Sequence, residues 1–122
     1  GGILIAGSIG RHLGVNHIFT ERINGKMILR RGFNIQPKSN VLIVEDIVTT
    51  GGSIFEIIEV VKKFGGNIVG ITSILDRNHK VPTFGYSYSP LINYPVASYI
   101  ESDCPDCKNN KPLDQRGRTG KK

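Results

Sequence analysis

Apolar residues recur with helical spacing near the start of the chain. Ile5, Ile9 and Leu13 stand four residues apart, which places them on one face of a helix over residues 3–13. Gly14 follows directly, and glycine is common just after the last residue of a helix. The pattern therefore predicts an amphipathic helix that ends before Gly14, although two internal glycines lower its intrinsic helix propensity.

Two short segments after this helix have the residue types of β-strands. They cover residues 15–20 and 27–32, and residues 21–26 separate them. Asn24-Gly25 in the separating segment is a strong signal for a two-residue hairpin turn. Four closely spaced cations lie in or beside it, namely Arg22, Lys26, Arg30 and Arg31. We predict a hairpin-like, mobile, basic loop that forms a local anion site.

An uninterrupted aliphatic run at residues 41–44 is typical of a strand that is covered on both faces, as in a parallel sheet. Apolar residues at helical spacing follow over residues 54–64, and Gly65-Gly66 ends that pattern. Residues 68–75 form a second aliphatic run. The order strand, loop, helix, strand predicts a right-handed βαβ unit. The fold class is then α/β, with a Rossmann-like parallel sheet flanked by helices.

The segment between the first aliphatic run and the helix is rich in groups that bind anions. Residues 49–53, Thr-Thr-Gly-Gly-Ser, offer hydroxyls, uncrowded backbone N–H groups and the positive end of the helix dipole. Ligands of an open parallel sheet bind outside the carboxyl ends of its strands, where this segment lies. The segment has neither the lysine of a P-loop nor a GxGxxG pattern. It predicts a phosphate site, and the alternative is an ordinary turn in which Ser53 caps the helix.

Two carboxylates, Glu45 and Asp46, come shortly before that segment. They would repel a bare phosphate, but they suit vicinal hydroxyls or a hydrated divalent metal ion. Sugar and phosphate are then specified by one continuous stretch, residues 45–53. This arrangement predicts a ribose 5-phosphate whose hydroxyls meet the acids and whose phosphate meets the helix N-terminus.

Composition sets the class and suggests a boundary. The 122 residues are 39% hydrophobic and 21% charged, which is typical of one globular domain. No apolar run is long enough to span a membrane and no signal peptide is visible, so we expect a cytoplasmic protein without membrane contact. The pattern weakens after residue 77, where residues 84–88 and 91–99 predict a short strand or helix. We expect a core over residues 1–103 and a basic, solvated tail over residues 104–122.

The tail raises two further questions. The net charge of +6 leaves a nucleic-acid-binding module as an alternative, but the tail has no aromatic residues for base stacking. Cys104 and Cys107 supply half of a structural zinc site at most, because four ligands are usual, and a zinc shared between two copies stays open. A redox role is weaker, since the pair does not open a helix in a thioredoxin-like setting. Reduced thiols are favoured.

Residues 41–53, VLIVEDIVTTGGS, resemble the phosphoribosyl-pyrophosphate (PRPP) motif of the type I phosphoribosyltransferases. Residues 19–33, FTERINGKMILRRGF, and Leu75-Asp76-Arg77 are similar to the orotate-specific branch of that family. Residues 101–113, which include the CPDC sequence, resemble the C-terminus of some bacterial members of that branch. The resemblance spans essentially the whole chain.

The resemblance implies the type I phosphoribosyltransferase fold and transfer of a phosphoribosyl group from PRPP to orotate. The products are orotidine 5′-monophosphate and pyrophosphate, in pyrimidine synthesis. The implied cofactor is Mg²⁺, held through PRPP and water near Asp46 rather than by direct protein ligands. Orotate would contact Thr49 and Arg77, whose guanidinium suits a carboxylate. PRPP would contact the motif residues Glu45, Asp46, Ile47, Val48, Thr49, Thr50, Gly51, Gly52 and Ser53.

Three residues are implied in catalysis. Lys26 and Arg22 on the basic loop would close over the site and stabilise the charge that develops on departing pyrophosphate, while Asp46 would hold the ribose. Family members form homodimers in which this loop, here residues 21–31, lies near the partner subunit's site. Residues 1–2 look like the end of an N-terminal portion that relatives carry, so we expect that the chain is a piece of something longer.

One alternative stays open within the family. A phosphoribosyltransferase for a purine or uracil, or a PRPP-sensing regulator with the same fold, would keep residues 45–53 and change the contacts to the base. Arg77 distinguishes these possibilities, because a purine offers no carboxylate.

Overall fold

The computed structural model describes residues 1–112. The predicted tail therefore falls partly outside the described residues, including Arg116, Arg118, Lys121 and Lys122. The elements in chain order are α1 (Ile3–Leu13), β1 (Thr20–Ile23), β2 (Lys26–Leu29), β3 (Asn40–Val48), α2 (Gly52–Lys63), β4 (Asn67–Asp76), β5 (Tyr88–Asn93), a 3-10 turn (Glu101–Asp103) and the single-turn helix α3 (Pro105–Lys108).

A three-stranded parallel sheet forms the centre of the fold. Its strand order is β3-β4-β5, so β3 pairs with one strand within residues 1–112. Ile43 lies opposite Ile71 in the first pair of strands, and Leu75 lies opposite Ile92 in the second. The predicted α/β class with a parallel sheet is confirmed. The strand or helix expected beyond residue 77 is β5, which extends the same sheet.

Strand β3 is longer than the sequence indicated. The prediction ended it near Val44 and placed residues 45–48 in a loop, and this is wrong. The ladder continues through Glu45, opposite Ser73, to Val48, opposite Asp76. Because a charged side chain at the end of a strand reaches solvent without breaking the ladder, polarity alone did not mark the strand's end.

Helix α2 packs its apolar side against one face of the sheet. Ile54, Ile58 and Val61 are at most 3% exposed, and they join Ile43 and Ile71 in one core cluster. The predicted helix over residues 54–64 is confirmed, starting two residues earlier. Its apolar residues therefore position the segment that precedes the helix.

The covering of β3 is incomplete within the described residues. Leu42 is 41% exposed and Ile47 is 47% exposed, so the prediction that both faces of this strand are covered is wrong for this part of the chain. Helix α2 packs over the side that carries Ile43, and Leu42 lies on the opposite side. Helix α1 forms as predicted and contacts β3, but its own Leu13 stays 61% exposed.

The hairpin differs from its prediction in length. Residues 15–19 form no strand, while β1 and β2 pair from Thr20 opposite Leu29 to Ile23 opposite Lys26. Only Asn24 and Gly25 are left as the turn, both with positive φ (48° and 78°). Because a two-residue turn of this kind keeps the ladder intact up to its flanking residues, the expected six-residue loop is mostly strand.

No helix within residues 1–112 has both the length and the apolar content to cross a membrane.

Candidate active site

The segment between β3 and α2 has the geometry of an anion site. Gly51 is the residue before α2, and its backbone is left-handed, with φ 77° and ψ 3°. A Cβ there would lie 2.6 Å from the Phe84 ring, so glycine is required for both its conformation and its size. Gly51, the residue at the cap position of α2, makes no side-chain cap hydrogen bond, so the alternative with Ser53 as the cap is wrong. Ser53 lies instead in the first helical turn.

Hydroxyl groups surround that uncapped helix end. Thr49 and Thr50 are exposed, and Ser53 is partly exposed. The Thr50 Oγ1 accepts a long hydrogen bond from the Gly52 N–H, at 3.4 Å. First-turn N–H groups of a helix have no partner within the helix, and the dipole favours negative charge there. The segment can therefore bind an anion, as the sequence indicated.

Glu45 and Asp46 lie together at the end of β3. Burial raises the pKa of Glu45, and its hydrogen bond with Asp46 raises that pKa further. The hydrogen bond with Glu45 lowers the pKa of Asp46, and the Ile47 N–H, 2.8 Å from Asp46 Oδ1, lowers it further. The two shifts have opposite directions, so Asp46 ionises more readily than Glu45.

The start of the chain approaches this acid pair closely. A Cβ on Gly2 would lie 2.7 Å from the carbonyl oxygen of Val44, and a Cβ on Gly1 would overlap the Asp46 carboxylate. The Gly1 nitrogen lies 3.9 Å from Asp46 Oδ2. Glycine is therefore the residue that fits at both positions.

Arg77 follows β4 and is tied to the end of β3. Its N–H donates to the Val48 carbonyl at 2.9 Å, and its own carbonyl accepts from the Val96 N–H at 3.1 Å. The backbone of Arg77 thus lies directly beside the start of the anion-binding segment. The side chain is partly buried, and Arg77 is not among the residues that line the main cleft of the described chain.

The cations of the hairpin are divided between two environments. Arg22 donates from Nη2 to Glu56 Oε1 at 2.7 Å and from Nη1 to the Gly25 carbonyl at 2.6 Å. Lys26 is exposed at the start of β2. Arg22, Glu56 and Asp46 line one cleft together with residues 49–53. The structure therefore brings the predicted Arg22 to the phosphate segment, but held by a carboxylate rather than on a mobile loop.

Glu56 is the residue of this cleft that sequence reasoning missed. Its second oxygen, Oε2, accepts from the Met27 N–H at 3.1 Å, so one carboxylate fastens both the side chain and the backbone of the hairpin to α2. The sequence signal for it is weak. An acidic residue in the second turn of a surface helix is ordinary, and its partner Arg22 lies 34 residues away.

The described residues contain no group of three or more His, Cys, Asp or Glu side chains that could hold a metal ion. Cys104 and Cys107 are free thiols in and beside α3, partly exposed, and no third ligand joins them within residues 1–112. A metal ion at the acid pair would therefore keep most of its water ligands, as Mg²⁺ commonly does.

Comparison with known proteins agrees with this geometry. The sequence profile of the Phosphoribosyl transferase domain matches residues 2–84. Orotate phosphoribosyltransferase of Desulforamulus reducens is 45% identical over 117 residues, which cover 96% of this chain and 61% of that protein. The enzyme of the same name from Thermotoga maritima is 41% identical over 122 residues, which cover 65% of its length. The chain thus spans less than two thirds of the length of these relatives.

Solved structures share the fold. A crystal structure of adenine phosphoribosyltransferase superposes with a TM-score of 0.60 at 20% identity, covering 73% of this chain and 61% of that one. The Saccharomyces cerevisiae adenine phosphoribosyltransferase superposes with a TM-score of 0.58 at 22% identity, covering 73% and 59%. At this identity the likeness concerns the fold alone, and it confirms the predicted fold class. With its parallel βαβ unit, its uncapped helix end and a profile match over residues 2–84, this chain belongs to the phosphoribosyl transferase domain family.

Proposed function

We propose that the protein containing this chain transfers a phosphoribosyl group from PRPP to orotate, yielding orotidine 5′-monophosphate and pyrophosphate in pyrimidine synthesis. One observation carries the proposal. An acid pair at the end of β3 and an uncapped helix end with a glycine turn line the same cleft. A ribose 5-phosphate needs a site for its hydroxyls and a site for its phosphate, and the distance between them must match the length of the sugar. The matched relatives named orotate phosphoribosyltransferase support the choice of acceptor.

PRPP lies along residues 45–53 in this proposal. Its 5′-phosphate accepts hydrogen bonds from the backbone N–H and hydroxyl groups of residues 49–53. Its ribose hydroxyls meet Glu45 and Asp46, which accept hydrogen bonds when charged. Ile47 and Val48 contact PRPP through their backbone at the end of β3.

Magnesium fits the acid pair by the chemistry of its donors. The pKa of Glu45 is raised beside Asp46, and a hydrated divalent cation would favour the charged form of both groups. The Asp46 side chain is 43% exposed, which leaves room for water between it and the metal. Mg²⁺ bound to pyrophosphate would neutralise the leaving group. The protein's own contribution is to orient the ribose through Asp46.

Departure of pyrophosphate leaves an electron-poor ribose and puts negative charge on the leaving group. Lys26 and Arg22 are the cations of the hairpin that we propose to meet that charge. Arg22 already lines the cleft, while Lys26 sits at the exposed end of the hairpin, two residues beyond Asn24. Residues 21–31 also lie near the site of a second subunit in the homodimer that we propose.

Orotate carries a carboxylate, and we assign its recognition to Arg77 with a further contact from Thr49. The hydrogen bond between the Arg77 N–H and the Val48 carbonyl places Arg77 beside Val48, the residue that precedes Thr49. A guanidinium can bind a carboxylate with two parallel hydrogen bonds, which also fixes the orientation of the base. Residues 1–103 would form the catalytic core, with residues 104–122 as a basic tail, in the cytoplasm.

Ligand-dependent unfolding tests the PRPP part of the proposal. Ligand at about 100 times its dissociation constant adds ~2.7 kcal/mol to the free energy of unfolding. We expect Mg²⁺ with PRPP to raise the melting temperature of the natural protein, and Asp46→Asn to reduce the shift. Absence of any shift with PRPP would contradict the proposal.

Acceptor choice tests the orotate part. We expect Arg77→Ala to raise the KM for orotate while the KM for PRPP stays near that of the unchanged protein. Equal activity with adenine or uracil in place of orotate would instead favour a different phosphoribosyltransferase.

A further inference from the structure

Asp76 is a fully buried carboxylate at the end of β4, with 0% of its surface exposed. Its Oδ1 accepts two hydrogen bonds from Asn78, one from the backbone N–H at 2.8 Å and one from Nδ2 at 2.6 Å. Its Oδ2 has no hydrogen-bond partner within residues 1–112. Burial of a carboxylate with one oxygen unsatisfied is costly, and a buried polar group of this kind calls for an explanation.

The residue between these two is Arg77, and its surroundings are closely fixed. Its N–H donates a hydrogen bond to the Val48 carbonyl, and its carbonyl accepts one from the Val96 N–H. Asn93 Nδ2 donates to the Asn78 carbonyl at 3.1 Å, which ties the next peptide to β5. The backbone on both sides of Arg77 is therefore held by short polar contacts at the carboxyl end of the sheet.

We propose that Asp76 and Asn78 are positioning residues that fix the backbone of Arg77, so that its guanidinium is presented to the carboxylate of the base substrate. This inference rests on the proposed function and adds residues that neither touch the substrate nor belong to the PRPP motif. A guanidinium recognises a carboxylate through directed, paired hydrogen bonds, which depend on orientation as well as charge. The turn formed by Asp76 and Asn78 sets the direction in which the Arg77 side chain leaves the backbone.

The main test compares Asn78→Ala with Asn67→Ala. Asn67 is the matched control because its side chain also makes a short hydrogen bond, 2.8 Å to Asn40, at the opposite end of the same strand. In the natural protein we expect Asn78→Ala to raise the KM for orotate by about two- to tenfold, because the free energy of one lost hydrogen bond limits how far Arg77 is disturbed. The KM for PRPP should change less than about twofold, and Asn67→Ala should change neither.

Asp76 is tested by a pair of variants. Asp76→Asn keeps an oxygen that can accept both hydrogen bonds from Asn78, whereas Asp76→Ala removes it. We expect the KM for orotate to be close to that of the unchanged protein in Asp76→Asn and strongly raised in Asp76→Ala. Should Asp76→Ala fail to fold, the comparison of Asn78→Ala with Asn67→Ala decides the matter.

Amide hydrogen exchange separates this proposal from the proposed function. Loss of the turn should speed exchange at the Arg77 and Val96 amides in Asn78→Ala and leave them protected in Asn67→Ala. Unchanged exchange at Arg77 would overturn the positioning role, whatever the activity. Faster exchange with an unchanged KM for orotate would overturn the link to recognition. A protein that uses no orotate at all contradicts the proposed function, while exchange still decides whether Asp76 and Asn78 hold the turn.

Discussion

The Glu56 carboxylate binds the guanidinium of Arg22 at 2.7 Å. Its other oxygen accepts a hydrogen bond from the Met27 N–H, so the hairpin is attached to α2 one turn after the anion-binding segment. Arg22 is the cation that lines the cleft, and in this arrangement its charge is already matched by a protein carboxylate. A phosphate-bearing ligand that uses Arg22 therefore competes with Glu56 for it.

Glu56→Gln removes the competing charge and keeps an oxygen for the Met27 N–H. We expect the Kd for Mg²⁺-bound PRPP to fall by about two- to fivefold, the range for a partly exposed ion pair. Calorimetric titration of each variant with Mg²⁺-bound PRPP measures this Kd. Glu59→Gln is the control, because Glu59 pairs with Lys62 on the same helix and is exposed. A weaker PRPP affinity in Glu56→Gln would mean that Glu56 supports the bound state instead.

Lys26→Ala tests the role of the hairpin cation in the chemical step. A cation that meets charge developing on pyrophosphate acts in the transition state more than in the bound substrate. We expect kcat to fall by roughly tenfold to a hundredfold, with a smaller change in the KM for PRPP. Steady-state kinetics measures both, with Lys63→Ala at the exposed end of α2 as control. Unchanged turnover would remove Lys26 from catalysis.

Gly51→Ala tests the conformation of the anion-binding segment. A Cβ at this position meets the Phe84 ring and stands on a left-handed backbone, so we expect a loss of about 1–3 kcal/mol in the free energy of unfolding. Gly52→Ala is the control, because its Cβ would have the Thr50 Oγ1 at 3.6 Å as a neighbour and its φ is not positive. Chemical denaturation compares the two. Equal stability of both variants would contradict the requirement for glycine at Gly51.

The acid pair predicts a pH dependence of PRPP binding. Burial and the neighbouring Asp46 raise the pKa of Glu45, so Glu45 stays protonated above the pH at which a free glutamate ionises. Mg²⁺ and ribose hydroxyls prefer the carboxylate. Affinity should therefore rise with pH until the raised pKa of Glu45 is passed, and binding below that point should release a proton.

Calorimetry in two buffers of different ionisation enthalpy measures the proton release. Glu45→Gln should bind without that release and with a flatter pH profile, because an amide does not titrate in this range. The same release in Glu45→Gln and in the unchanged protein would assign the proton to another group.

Much of the fold could be predicted from residues 41–75, because buried parallel strands and an amphipathic helix leave strong local patterns. The candidate site at residues 45–53 could also be proposed from sequence, since its position after a strand and its residue types are both local. The length of β3 could not be predicted. It depends on pairing with β4. The acidic residues Glu45 and Asp46 made residues 45–48 resemble a loop in the sequence.

Contacts between distant segments were the other gap. Nothing near Arg22 in the sequence points to Glu56. The prediction of a loop over residues 21–26 also missed that strand pairing continues up to the two-residue turn at Asn24 and Gly25. Asp76 was visible as part of the motif that contains Arg77, but its burial beside β5 depends on a distant segment. That strand gave a weak sequence signal because most of its residues stay exposed.

Strand β3 has a neighbour on one side only within residues 1–112, and it is nine residues long and rich in aliphatic side chains. Such an edge offers a row of unpaired backbone groups to which a strand of another molecule can add, which is a common first step in aggregation. Charged side chains on an edge oppose that addition. Glu45 and Asp46, the residues assigned to the ribose, stand near the end of this edge, so neutralising them together should make solutions of this 122-residue chain less stable on storage.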